Sequence, residues 1–204
     1  MILSTETTHM VLLALLFAML LIQAWYWLGY YRRAVCARPA EATVQTYLPP
    51  LSVVTVAFNE AENLERFLPE VLKQDYPSFE VVVVNDCSED NTFDVLGTLM
   101  KQYPHLKVSM IQKDTGFTHT KKLAMLIGIK AAKNELLVFT DADCKPASPF
   151  WLREVATAEA KKKTDIILGY GAYMPEPGLL NRYIRYETLF TAMQYFGMAM
   201  AGIP

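Results

Sequence analysis

Asn134–Pro146 reads N-E-L-L-V-F-T-D-A-D-C-K-P. The apolar run Leu136–Thr140, bounded by polar residues, has the pattern of a buried strand. It stops at two acids, Asp141 and Asp143, before Cys144-Lys145-Pro146 turns the chain away. Two carboxylates one residue apart at the carboxyl end of a strand can aim at one point, because strand alternation has lapsed in the loop. They are hard oxygen ligands, too few to cage a metal alone. Mg²⁺ or Mn²⁺ is held in this way when a substrate phosphate supplies the remaining ligands. A solvated turn with two acids has the same letters, so the reading depends on the rest of the chain.

Upstream the pattern alternates. Leu51–Ala57 is a β-branched apolar run. Glu60–Asp75 follows with Leu64, Phe67, Leu68, Val71 and Leu72 on one helical face. Asn59, with Glu62 three residues on, predicts a capping-box variant at the start of this helix, and Pro69 predicts a kink or an early break. Glu80–Asn85 is a second buried strand. Leu96, Leu99, Met100 and Tyr103 then recur at helical spacing, and Leu106–Ile111 is a third, weaker strand. Thr118–Lys133 is helical with Leu123, Leu126 and Ile127 inward. Leu136–Thr140 is the fourth strand, Ser148-Pro149 opens another helix as N-cap and first-turn proline, and Asp165–Tyr173 is a fifth strand. Strand–helix repetition with continuous apolar strands predicts an α/β domain with a mainly parallel sheet covered on both faces. Ligands of such sheets sit outside the carboxyl ends of the strands. Those ends carry Ala57-Phe58-Asn59-Glu60, Asn85–Thr92 and Asp141–Asp143. Asp86 could accept hydrogen bonds from a base or ribose, or act as an ordinary turn or capping acid.

Three motifs then make a resemblance specific. V-V-T-V-A-F-N-E-A-E-N-L (Val53–Leu64), V-V-V-V-N-D-C-S-E-D-N-T (Val81–Thr92) and F-T-D-A-D (Phe139–Asp143), in this order and spacing, resemble the family 2 glycosyltransferases over about Leu51–Tyr173. Those are inverting enzymes with the GT-A nucleotide-sugar-binding fold. The resemblance implies that Ala57 and Glu60, with Asn59 in the same donor-binding set, line the pocket for the nucleotide base. It implies that Asp86 contacts uracil or another base and that Asp141 faces the ribose and the metal side. Asp143 is then the residue that coordinates the divalent cation, Mg²⁺ or Mn²⁺, bridging the diphosphate of a donor such as a UDP-sugar. His119–Gly128 is similar to the family's K-x-x-A-L-N-x-G segment with Lys121 in register; the family's asparagine is Leu126 here. Lys121 at a helix start could reach the diphosphate, or it and Lys122 could be exposed helix surface. His119 reads as a loop histidine. The resemblance also implies a catalytic base, carried by a later E-D or T-D motif that does not occur before Pro204. The base is therefore expected beyond Pro204, in a longer enzyme of which this is the N-terminal part. A non-catalytic nucleotide-sugar-binding or assembly subunit is the alternative.

The flanks read differently. Apolar residues make up 52% of 204, which asks for a membrane segment. Met10–Tyr31 carries no charge and is long enough as a helix to cross the hydrocarbon core. Trp25, Tyr26, Trp27, Tyr30 and Tyr31 form an aromatic belt at its end, followed by Arg32 and Arg33. Positive-inside then places the N-terminus outside and the following domain in the cytoplasm, at the cytoplasmic membrane. A cleaved signal peptide would need the basic n-region that Met1–His9 lacks. Residues 32–50 read as a linker, 51–175 as the nucleotide-sugar-binding domain and 176–204 as an amphipathic helix. Tyr186, Phe190, Met193, Gly197 and Met200 form its seam, either packed in a core or set at the membrane surface beside a lipid-linked or polysaccharide acceptor. A net charge of −2 and a pI near 5.9 give no footing for nucleic acid. Three scattered cysteines form neither a zinc spacing nor a disulfide framework and fit a reducing compartment.

Overall fold

The computed structural model describes residues 5–37, 48–112, 120–162 and 165–203. Residues 38–47 of the expected linker, and His119, lie outside them. The elements in order are α1 (Thr5–Tyr26), a π-helical turn (Trp27–Tyr31), α2 (Arg32–Val35), β1 (Leu51–Ala57), α3 (Ala61–Leu72), β2 (Phe79–Asp86), α4 (Thr92–Gln102), β3 (Leu106–Ile111), α5 (Lys121–Ala131), β4 (Leu136–Phe139), α6 (Trp151–Lys162) and α7 (Leu179–Met200). They fall into two units, Ala42–Ile167 and Met1–Glu41 with Leu168–Pro204.

In the first unit the apolar runs pair as a parallel sheet in the order β3-β2-β1-β4. Val81, Val82, Val83 and Val84 are all completely buried, as a strand covered on both faces requires. One face carries α3 and α4, whose Leu64, Leu68, Leu72, Leu96 and Leu99 pack in a core with Val53, Val81 and Val83, joined by Leu152 and Ala156 of α6. The other face carries α5. Its inward residues are Ala124 and Gly128, with Leu126, expected inward, 47% exposed. The reason is distance: a β-carbon on Gly128 would lie 2.5 Å from Val54 Cγ1 and 3.1 Å from Val84 Cγ2, so the helix lies almost backbone-on-sheet. Pro69 does not end α3, which runs three residues further, to Leu72. Gln74, just past it, ties that helix end to α6, with its amide reaching Ser148 O at 2.9 Å and its carbonyl taking Leu152 N at 3.3 Å.

The amino edge of the sheet is stitched by Glu80. Its Oε1 accepts from Ser52 Oγ at 2.7 Å and Lys133 N at 2.6 Å, and its Oε2 pairs with Lys107 Nζ at 2.8 Å. Burial pushes the Glu80 carboxyl up, but Lys107, the Lys133 amide and the Ser52 hydroxyl together outweigh it and hold the carboxyl below its ordinary value.

The fifth strand expected over Asp165–Tyr173 does not form. The stretch is irregular and exposed, with Ile166 at 78%. Apolar composition alone does not make a strand, because a strand also needs a neighbour to take up its backbone bonds.

In the second unit, helix continues from Thr5 to Val35, longer than the expected Met10–Tyr31 and apolar enough to cross a bilayer, with no residue of α1 buried. α7 packs against the π-helical turn. Tyr31, 7% exposed, meets Phe190 edge-on at 5.6 Å, and a β-carbon on Gly197 would strike Tyr30 O at 2.6 Å. The aromatic seam of α7 is thus partly covered by the π-helical turn.

Two substitutions test the packing. Gly128→Ala should destabilise the sheet unit by about 1–3 kcal/mol through overpacking. Gly97→Ala in α4, where a β-carbon meets nothing within 4 Å, should stabilise it by about 0.5–1 kcal/mol from helix propensity. Denaturant titration of both separates the steric effect from a generic glycine effect. The Glu80 network predicts a pH dependence. A carboxyl depressed in the folded state contributes stability above its unfolded value near 4.5, and that contribution fades as pH falls through the lower folded value. Glu80→Gln should therefore lower stability at neutral pH and flatten the loss on acidification, read by unfolding midpoints from about pH 7 down to about pH 3, below the ordinary carboxylate range.

Candidate functional site at the carboxyl edge of the sheet

Parallel pairing brings the strand ends to one edge. Ala57 lies opposite Asn85, and Val54 lies opposite Phe139, with Thr140 N bonded to Val54 O at 3.2 Å. The chain winds from β1 to β2 to β3 on one side and then places β4 on the other side of β1. The divergence of the connections between β1 and β4 is where open α/β sheets leave a ligand crevice.

One lip is a pair of interlocked loops. Asn59 and Cys87 both have φ of 56°, the left-handed region, which Asn tolerates better than most residues. Asn59 N donates to Ser88 Oγ at 2.9 Å, and Asn59 Oδ1 accepts from Glu89 N at 2.8 Å. Glu60 N donates to Thr92 Oγ1 at 3.0 Å, and Ala61 N to Asp90 Oδ2 at 3.1 Å. The expected capping box of Asn59 with Glu62 is therefore absent. The left-handed turn sends the Asn59 side chain across to the β2–α4 loop, and that loop supplies the caps of α3 in its place. Asp90 is partly desolvated, which raises its carboxyl; its bonds from Thr92 and Ala61 N outweigh this and hold it below the ordinary value. Glu60 folds onto Asn63 Nδ2 at 2.6 Å. Asp86, the last residue of β2, is 9% exposed, and Ala57 is wholly buried in the core, so only its backbone can face a ligand.

The other lip is Asp141–Cys144, across from the start of α5. Thr120 Oγ1 caps that helix by accepting from Leu123 N at 3.2 Å. Lys121 in its first turn places Nζ 2.6 Å from Asp141 Oδ1, a bond that raises the lysine above its ordinary pKa. Asp143 is exposed and accepts a long contact from Cys144 Sγ at 3.6 Å. Burial and the Asp143 charge push the Cys144 thiol up, away from a reactive thiolate. Among the described residues no group of three His, Cys, Asp or Glu could hold a metal. Asp141 and Asp143 are exposed hard donors of the kind Mg²⁺ or Mn²⁺ accepts, provided other ligands come from a bound phosphate. The residues fit a substrate-assisted cation and do not fit a resident structural one.

Residues 52–201 match glycosyl transferase family 2. The chain belongs to that family. Glycosyltransferase AglE of Haloferax volcanii is 32% identical over 112 residues, covering 54% of this chain and 36% of that protein. Among solved structures, TarS of Staphylococcus aureus residues 1–349 superposes with a TM-score of 0.52 at 27% identity, covering 62% of this chain and 38% of that one. It has also been solved with UDP-GlcNAc. The mannosyltransferase PcManGT of Pyrobaculum calidifontis, in complex with GDP-Man and Mn²⁺, superposes with a TM-score of 0.56 at 27% identity, covering 68% of this chain and 39% of that one. The expected GT-A-type fold is thereby met. The chain spans little more than a third of the length of the first curated relatives it matches.

The structure joins Lys121 to Asp141, and Asn59 and Glu60 to the loop that follows Asp86. Sequence reasoning placed Ser88, Asp90 and Thr92 at a strand end without assigning their work, which is to tie two loops together. It also placed Lys121 at a diphosphate without foreseeing its carboxylate partner. A lysine in the first turn of a helix, where the dipole disfavours it, was the available signal. For the loop pair, Asn59→Gly should lose about 1 kcal/mol, one hydrogen bond. Asn59→Ala should lose roughly 1 kcal/mol more for its left-handed backbone. Equal losses by chemical denaturation would show that the backbone conformation carries no cost.

Proposed function

We propose that this chain is the donor-binding part of a membrane-anchored glycosyltransferase. The enzyme moves a sugar from a nucleoside diphosphate donor to a lipid-linked or polysaccharide acceptor with inversion at the anomeric carbon. The observation that carries this reading is the pair Asp141 and Asp143 on the lip beside β1, in a chain of glycosyl transferase family 2. The relatives solved with UDP-GlcNAc and with GDP-Man support a nucleotide-sugar donor, and the second of them supports Mn²⁺ as a suitable cation.

In this reading the base lies against the loop pair, with the Asp86 and Glu60 carboxylates offering acceptors, Asn59 bracing the loops through Ser88 and Glu89, and the Ala57 backbone forming the floor. The diphosphate lies toward the start of α5, where helix N–H groups and Lys121 favour negative charge. Asp143 and Asp141 hold the divalent cation, which when bound stabilises the charge that grows on the leaving nucleoside diphosphate. α1 anchors the protein, with Arg32 and Arg33 on the cytoplasmic side. α7 lies against the juxtamembrane turn, where its exposed Leu179, Leu180 and Tyr183 can meet lipid beside the acceptor.

The test is release of nucleoside diphosphate by the full-length protein in membranes, with UDP- and GDP-sugars and Mg²⁺ or Mn²⁺. Asp143→Asn should lower turnover by about 100-fold or more, the scale of a lost electrostatic stabiliser, with nucleotide binding in the absence of metal retained. Undiminished turnover in that variant would remove the metal role. Saturable donor binding without transfer would favour a nucleotide-sugar-binding or assembly subunit.

A further inference from the structure

Among the described residues of this lip, the Lys121–Asp141 pair sits on one of the two carboxylates, Asp141 and Asp143, available to a cation. Both partners are more than half exposed, at 63% and 57%, so the pair is not a buried structural bridge. Exposed pairs of this kind contribute little to stability and exchange readily. Lys121 also stands in the first turn of α5, capped by Thr120, where the helix dipole opposes its charge. What holds the ammonium there is the local negative charge of Asp141 and Asp143. A divalent cation approaching alone meets one free carboxylate, one already neutralised, and a positive charge beside them.

A diphosphate changes that balance. It carries more negative charge than Asp141 and many more acceptor oxygens, and it lies where the N-terminus of α5 also attracts anions. We infer that Lys121 is a removable counter-ion: it occupies Asp141 until a nucleoside diphosphate draws the ammonium away, and so makes cation binding conditional on the donor. The inference rests on the donor-binding reading above and goes beyond it by giving Lys121 a role before the donor arrives. Thermodynamic linkage then requires that the cation and the diphosphate strengthen each other's binding by one shared factor. Lys121 is a positioning residue in this scheme, and its removal should loosen that coupling.

The measurement is Mn²⁺ binding to the full chain by electron paramagnetic resonance, with and without UDP or GDP. The proteins compared are unaltered, Lys121→Gln, Lys121→Arg, Asp141→Asn and the Lys121→Gln/Asp141→Asn double variant. Without nucleotide, Lys121→Gln should bind Mn²⁺ about tenfold more tightly, the effect of removing one positive charge beside a solvated site. Lys121→Arg should resemble the unaltered chain. The gain should vanish in the double variant, and the factor by which nucleotide tightens Mn²⁺ should shrink in Lys121→Gln. Unchanged or weaker Mn²⁺ binding in Lys121→Gln overturns the inference, and so does a gain that survives Asp141→Asn. If UDP or GDP binds but couples to Mn²⁺ equally in both proteins, the counter-ion role alone falls. If neither nucleotide binds the unaltered chain, the donor reading falls and takes this inference with it. Unfolding midpoints within error of the unaltered chain establish that the variants are folded, as expected for exposed side chains.

Discussion

The parallel pairing of β1 with a strand on each side is the constraint on which everything else depends. Parallel neighbours cannot be joined by a tight hairpin, so each return of the chain needs a crossover. Those crossovers supply the helices that bury the valines of β2. The same geometry sorts the ends of the strands. Glu80, Ser52 and the Lys133–Asn134 turn meet at the amino edge, where one oxygen of a buried carboxylate accepts two hydrogen bonds and the other faces the Lys107 ammonium. Asn59, Asp86 and Asp141 emerge at the carboxyl edge, Asp86 as the last paired residue of β2 and the other two in loops. One edge is closed and the other is left for a ligand.

The two lips of the open edge are built on different principles. The loops after β1 and β2 hold one another through four bonds from Asn59, Glu60, Ala61 and Glu89. Their groups are largely committed to protein partners. The lip after β4 is attached through a four-residue strand and ends in exposed carboxylates. A cross-braced surface suits recognition of a flat base, whereas solvent-exposed carboxylates with weakly held partners suit an ion that arrives with its ligand. Helix α5 serves both, because the absence of a side chain at Gly128 lets it lie close on β1 and β2 while its first turn reaches the second lip.

Much of this was legible in the residues. Four apolar runs and the helical faces between them are local patterns, and the burial of Leu64, Leu68 and Leu96 follows from their spacing. The acids at the strand ends were legible because a parallel sheet assigns them an edge. What failed to show were relations between distant segments. Asn59 and Glu62 satisfy a local capping rule, but bonds to residues about thirty positions away displaced it. Leu126 satisfies a hydrophobic pattern, but the clearance over Val54 admits only a glycine beneath the helix. Asp165–Tyr173 has strand composition, but composition says nothing of whether a pairing edge is at hand. The Lys121–Asp141 contact joins a helix start to a strand end twenty residues on, and neither local pattern contains the other.

The π-helical turn at Trp27–Tyr31 has a consequence of its own. An i→i+5 turn accommodates one residue more than the α-helical turn it replaces. One residue is about 100° of rotation about the axis. The helix therefore changes angular phase between α1 and α2 while helical structure continues through the turn. The aromatic residues of the turn face α7, with Tyr31 against Phe190 and Tyr30 O under Gly197. The direction in which Arg32 and Arg33 project is accordingly set by this rotation and not by the apolar stripe of the preceding helix. A single inserted residue thus uncouples the azimuth of α1 from the azimuth of the basic segment that follows it.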